Sequence, residues 1–125
     1  MITLGGTVLE CKDAVALAAF YKEFLGWAID FNGEGFVILR SPDRTATIAF
    51  QRDFDYIPPV WPAQEGKQQM MEHIDFNVKD KEEMDLYVKK AVSLGARIAE
   101  EQYGGDKWVT MIDPAGHPFD IERTE

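Results

Sequence analysis

Two spacings of hydrophobic residues alternate along this chain, and each change of spacing marks an element boundary. From Thr7 to Cys11 the pattern is that of a strand. From Asp13 the apolar residues recur at Ala14, Leu17, Ala18, Tyr21, Phe24 and Leu25, the three-to-four spacing of a helix with one buried face. Gly26 follows directly and can take the left-handed conformation that ends a helix. Trp27–Phe31, Gly35–Arg40 and Ala46–Gln51 are rich in β-branched and aromatic residues and predict three strands, the last two joined by a turn at Ser41-Pro42-Asp43.

The same order then returns. Met71–Lys79 predicts a strand with Ile74, Phe76 and Val78 on one face and His73, Asp75 and Asn77 on the other. Asp80 caps the next helix, with Glu83 completing a variant capping box; Met84, Tyr87, Val88, Ala91 and Leu94 form its buried stripe, and Gly95 stops it. Strands follow at Ala96–Ala99, Lys107–Ile112 and Pro118–Arg123, with a turn at Asp113-Pro114-Ala115-Gly116. Asp13 to Asp80 and Phe20 to Tyr87 are both displaced by 67 positions, and Gly26 to Gly95 by 69. A repeat of this kind predicts two related modules, and neither half, at about 50 residues, could bury an adequate core alone. The expected fold is α+β: a single domain over 1–125, module one about 1–52, module two about 70–125. Between them residues 53–69 carry Pro58, Pro59 and Pro62 around Trp61, which suits an extended surface crossing.

Composition narrows the partners. The chain has 125 residues, 46% hydrophobic and 12% aromatic, which fits a globular core and argues against disorder. Its 13 basic against 22 acidic residues give a formal charge of −9, which repels phosphate backbones and disfavours nucleic acid. Cys11 is the only cysteine, so no internal disulfide can form, as in a reducing compartment. No basic leader opens the sequence, and no apolar run approaches the roughly 18 residues of a membrane span. The expectation is a cytoplasmic protein without a membrane partner. No Ser-His-Asp spacing, phosphate-binding glycine loop or CxxC pair is present, which removes hydrolase, nucleotide-binding and thiol-redox readings.

Few residues carry candidate chemistry. His73 sits on the polar side of its strand, as a hydrogen-bonded surface histidine or as a pocket residue. Asp120 and Glu122 share one strand face opposite Phe119 and Ile121, the alternation of either solvated carboxylates or a site wall. Glu10 shares a face with Gly6 and Val8. Trp61, in the proline-rich crossing, has little core to join and can cover a ligand, whereas Trp27 and Trp108 fit core packing as well as stacking. His117 reads as a turn residue and Cys11 as core.

Asp13 through Phe20-Tyr21 to Leu25-Gly26, His73 at the head of the second module, and Asp113-Pro114-Ala115-Gly116-His117 near the end together resemble the vicinal oxygen chelate superfamily, in its glyoxalase-like and bleomycin-resistance-like branch. The resemblance implies two βαβββ modules forming a curled mixed sheet, a cup with helices outside and a ligand site within. In metal-using members, His and Glu side chains from the strands hold a divalent ion. Carried onto this chain, the first-strand ligand falls on His73 and on Gly6, and the last-strand carboxylate on Asp120 and on Ala49, with Gln51 two residues on along the same face. Gly6 and Ala49 have no donor atom. The resemblance therefore implies a degenerate metal site with His73 and Asp120 as its ligands, no cofactor or one weakly held divalent ion, and a ligand cup of His73, Asp120, Gln51, Glu10, Trp61 and Glu122. The functions it implies are a small-molecule-binding protein, a metal-dependent lyase or related enzyme, or an antibiotic-sequestering resistance protein, in each case as a homodimer.

Overall fold

Asp13 and Gly26 bracket the first helix as their chemistry requires: the Asp13 carboxylate accepts from the Ala16 backbone N–H, and Gly26, at φ 70°, sends its own N–H back to the Lys22 carbonyl. The computed structural model describes residues 1–125, in two units, Met1–Tyr56 and Ile57–Glu125. The first contains β1 (Thr7–Cys11), α1 (Ala14–Leu25), β2 (Ala28–Gly33), β3 (Phe36–Arg40) and β4 (Thr47–Arg52). Its sheet runs β1-β4-β3-β2, parallel between β1 and β4 and antiparallel elsewhere, with a register shift between Ile29 and Phe31. Leu17, Ala18, Phe20, Tyr21 and Phe24 bury one face of α1, and Tyr21 stacks on Phe50 of β4 at 5.5 Å. Those rings, with Leu39 and Val37, form the core of this unit.

The second unit repeats the order with β5 (Ile74–Val78), α2 (Lys81–Ser93), β6 (Arg97–Ile98), β7 (Trp108–Ile112) and β8 (Pro118–Arg123), in a sheet β5-β8-β7-β6 that is again parallel only between its first two members. Asp80 accepts from the Glu83 N–H at 2.9 Å, and Glu83 reaches back to the N–H of Lys79, one residue earlier than a standard capping box. The α2 stripe is buried at Met84 and Ala91 and half-buried at Tyr87, Val88 and Leu94.

Several boundaries differ from the sequence expectation, most of them by one or two residues. β5 begins at Ile74 rather than Met71, because its ladder with β8 opens at Ile74 and Phe119, one residue past Pro118, whose nitrogen has no hydrogen to donate. β6 shrinks from four residues to two, Arg97 and Ile98, between the buried Ala96 and Ala99. The second helix is capped at Leu94, with Gly95 just beyond it at φ 113°. No helix is long and apolar enough to cross a membrane.

Candidate functional site in the second half

The parallel pairing of β5 with β8 sets Asp75 directly beside Asp120, and the antiparallel pairing of β7 with β8 sets Thr110 on Asp120's other side. His73 lies two residues before Asp75, hence on the same side of the chain. Its Nε2 stands 3.2 Å from Asp75 Oδ1 and 3.4 Å from Asp120 Oδ2. The Thr110 hydroxyl donates to Asp120 Oδ1 at 2.7 Å, leaving Oδ2 to face the imidazole. Thr110 is buried, and the Asp120 side chain is only 15% exposed against 50% for Asp75. Burial pushes the Asp120 carboxyl above its ordinary range, opposed by the Thr110 hydrogen bond and reinforced by the neighbouring Asp75.

Above this polar group lies a cleft of about 190 Å³ walled by Trp61, Met70, Tyr103, Trp108 and Pro118, with His73, Thr110 and Asp120 as its polar members. The Trp61 indole donates to the Glu101 carbonyl and meets Tyr103 edge-on at 5.8 Å, so the proline-rich segment fixes one wall. Gly104 supports another wall: a Cβ there would press against the Trp108 ring, 2.6 Å from Cγ. A larger depression of about 490 Å³ beside α2 is lined mainly by Lys79, Asp80, Glu82, Glu83, Asp85 and Lys89. Those charges form the solvated face of a helix, with no buried polar group or aromatic wall, and we place no site there.

Of the residues singled out in the sequence, His73, Asp120 and Trp61 come together in this cleft. Glu122 is half-buried two residues beyond Asp120, registered with Asn77 and Trp108. Glu10 and Gln51 are exposed register neighbours on β1 and β4 of the first unit. His117 is engaged inside its turn, Nδ1 2.8 Å from the buried Asp113, and Cys11 is buried with its thiol directed at the Gln51 carbonyl. Asp75 was legible in the sequence as the polar residue two beyond His73 on the same face; Thr110, Met70 and Tyr103 carry no local signal.

His73 Nε2, Asp75 and Asp120 offer donor atoms that all lie within 4.8 Å of one another. One imidazole and two carboxylates form a nitrogen–oxygen set that suits a borderline or hard divalent ion with positions left for water or ligand, so these residues fit such an ion.

Two four-stranded mixed sheets, each built as βαβββ, define the class: an α+β protein of two like-built halves. The chain matches the glyoxalase-like domain over residues 6–122 and belongs to that family. Its fold is similar to that of a glyoxalase/bleomycin resistance protein/dioxygenase family enzyme from Burkholderia phytofirmans PsJN, at 19% identity and a TM-score of 0.73, covering 94% of this chain and 95% of that one. It is also similar to the fosfomycin resistance protein FosX of Listeria monocytogenes, in a variant solved with Mn(II) and 1S,2S-dihydroxypropylphosphonic acid, at 16% identity and a TM-score of 0.70, covering 98% and 90%. A glyoxalase/bleomycin resistance protein from Albidiferax ferrireducens T118 is similar at 16% identity and a TM-score of 0.69, with 98% of each chain covered. Among curated proteins none matches the sequence.

Proposed function

We propose that this chain is a small-molecule-binding protein of the glyoxalase-like family, its ligand seated in the second-half cleft with an apolar body against Trp61, Tyr103 and Trp108 and a positively charged end toward Asp120. The observation that carries this reading is the composition of the cleft: aromatic walls above a polar end with two neighbouring carboxylates and no lysine or arginine. Carboxylates in direct register repel each other, and a cation at that end offsets the repulsion.

Calorimetric titration of metal-free protein with benzylamine, and with benzoate as its anionic counterpart, tests the reading. Benzylamine should bind and benzoate should not, and Asp120→Asn should weaken benzylamine by about tenfold, the scale of one charge-assisted hydrogen bond. Equal binding of both, or of neither, overturns it. The same samples in a sedimentation cell test the homodimer that goes with this reading, which a monomer at micromolar concentration would contradict.

A second reading, a metal-dependent lyase or related enzyme, is favoured by one observation: the closeness of the three donor atoms. FosX, solved with Mn(II), is a metal-bearing protein of similar fold. A bound ion would supply Lewis-acid polarisation of a ligand oxygen. His73, Asp75 and Asp120 would hold it.

A further inference from the structure

We propose that Gln102 is the positioning residue of the second-half cleft: its amide ties the segment between β6 and β7 to Thr110, and so sets the aromatic wall of the cleft against its acidic floor. The effects on a ligand given below rest on the small-molecule reading; the tie itself does not.

β6 leaves its ladder early. Arg97 pairs with Ile112 and Ile98 with Met111, and the Ala99 N–H still donates to the Thr110 carbonyl at 3.0 Å. A regular antiparallel pair would return a bond from the Thr110 N–H to the Ala99 carbonyl. Gln102 stands in its place. Its Oε1 accepts from the Thr110 N–H at 2.9 Å, and its Nε2 donates to the carbonyls of Ala99 and Thr110, each at 2.8 Å. The side-chain amide has the carbonyl and N–H groups of a peptide unit, so it can close a ladder that the backbone has left. Thr110 is 3% exposed, and without Gln102 its N–H would be buried with no partner.

Gln102 holds both sides of the cleft. On one side are its chain neighbours: the Glu101 carbonyl accepts from the Trp61 indole at 3.2 Å, Tyr103 meets Trp61 edge-on, and Gly104 lies against the Trp108 ring. On the other side is Thr110, whose hydroxyl donates to Asp120 Oδ1 at 2.7 Å. Trp61 is thus joined to Asp120 by hydrogen bonds that run through Glu101, Gln102 and Thr110. The wall has little else to fix it. Residues 99–107 belong to no helix or strand, and Tyr103 is 61% exposed, so neither a ladder nor deep burial holds its ring over the cleft.

The experiment measures benzylamine affinity by calorimetry, and the contact between the Trp61 and Tyr103 rings by nuclear Overhauser spectroscopy, on the full metal-free chain and three variants. Gln102→Met keeps the length of the side chain and loses all three hydrogen bonds. It should weaken benzylamine about tenfold, the scale of one hydrogen bond, and weaken the ring contact. Met84→Ala, in the core under α2, should lower the melting temperature and leave both readings at their wild-type values. Gln102→Glu keeps the acceptor for the Thr110 N–H but turns a carboxylate toward two carbonyls. Its ring contact should therefore be weak at neutral pH and return as pH falls and the carboxyl gains a proton to donate, which a side chain that only fills space cannot produce. An unchanged ring contact in Gln102→Met overturns the proposal, however far its melting temperature falls, and so does a Gln102→Glu contact that stays constant with pH. If the wild type binds benzylamine and Gln102→Met binds it equally, the inference falls and the small-molecule reading stands. If the wild type does not bind, that reading falls and the ring contacts alone decide the role of Gln102.

Discussion

Where β1 meets β4 the first half places Val8 opposite Ala49, with Ile38 beside it; where β5 meets β8 the second half places Asp75 opposite Asp120, with Thr110 beside it. The backbone frame is the same and the chemistry is not. Strand pairing and helix packing depend on the apolar face of each sheet, which holds Leu39 and Phe50 in the first half and Phe119 and Ile121 in the second, all at most 1% exposed. The opposite face is free to differ, and the polar group is confined to one half. The hairpin turns show the same divergence. Ser41 to Ala46 in the first half and Asp113 to His117 in the second close with matching backbone bonds, Arg44 to Ser41 and Gly116 to Asp113, both 2.9 Å. In the first turn Asp43 accepts from Ser41 and Thr45; in the second Asp113 accepts from the backbone of Ala115 and His117 and contacts the His117 ring. One carboxylate organises each turn, from different positions.

The largest test of this parallel lies in the helices. Leu17 and Met84 occupy matching positions, 2% and 3% exposed. Leu17→Ala and Met84→Ala should each cost about 3 kcal/mol, the scale for emptying a buried apolar site. Chemical denaturation reads both, and a large loss in only one would show that the matched positions do not carry matched burial energy.

A smaller test uses the turns. Arg44 and Gly116 both have positive φ, 64° and 99°, but only Gly116 is suited to it. Gly116→Ala should cost about 1–3 kcal/mol, because the backbone is strained for an L-residue and its Cβ would lie 2.9 Å from Pro58 Cβ. Arg44→Gly should instead stabilise by about 0.5 kcal/mol, the relief of left-handed strain less the entropy a glycine adds to the unfolded chain. Thermal melts of the two variants moving in the same direction would break the equivalence.

Much of the frame was legible in the sequence, for a physical reason. Asp13, Gly26, Asp80 and Pro114 act through their own backbone neighbourhood, and periodicity reports which face is buried, so both helices and the order of the strands follow from local information. The misplaced boundaries, at Met71 and at Ala96 and Ala99, are those decided by a partner strand. The candidate site divides along the same line. His73 and Asp120 were visible through the resemblance to the family, and Trp61 from the composition of its segment. Thr110 and Tyr103 were not, because nothing near Thr110 in sequence announces that β7 will bring its hydroxyl to Asp120, and nothing near Tyr103 that the chain will fold it against Trp61.

The smallest effect expected is one of pH, and it should separate the halves cleanly. Asp120 is a carboxyl whose folded pKa is raised, chiefly by burial, whereas Ala49 at the matching position has nothing to titrate. A raised folded value means that the folded state holds the proton more tightly than the unfolded chain does. Whatever stability this brings is fully present below the unfolded value, about 3.9, and is lost as pH rises through the folded one. In metal-free protein, Asp120→Asn should therefore improve relative to wild type as pH is raised from about 4 to 7, while Ala49→Ser shows no such trend. Removing the opposing hydrogen bond by Thr110→Val should raise the Asp120 value further, and carboxyl chemical shifts across the titration would record it. A stability difference between Asp120→Asn and wild type that stays flat with pH would mean that burial does not penalise this carboxylate, and the contrast between the two halves would then be one of residue identity without an electrostatic consequence.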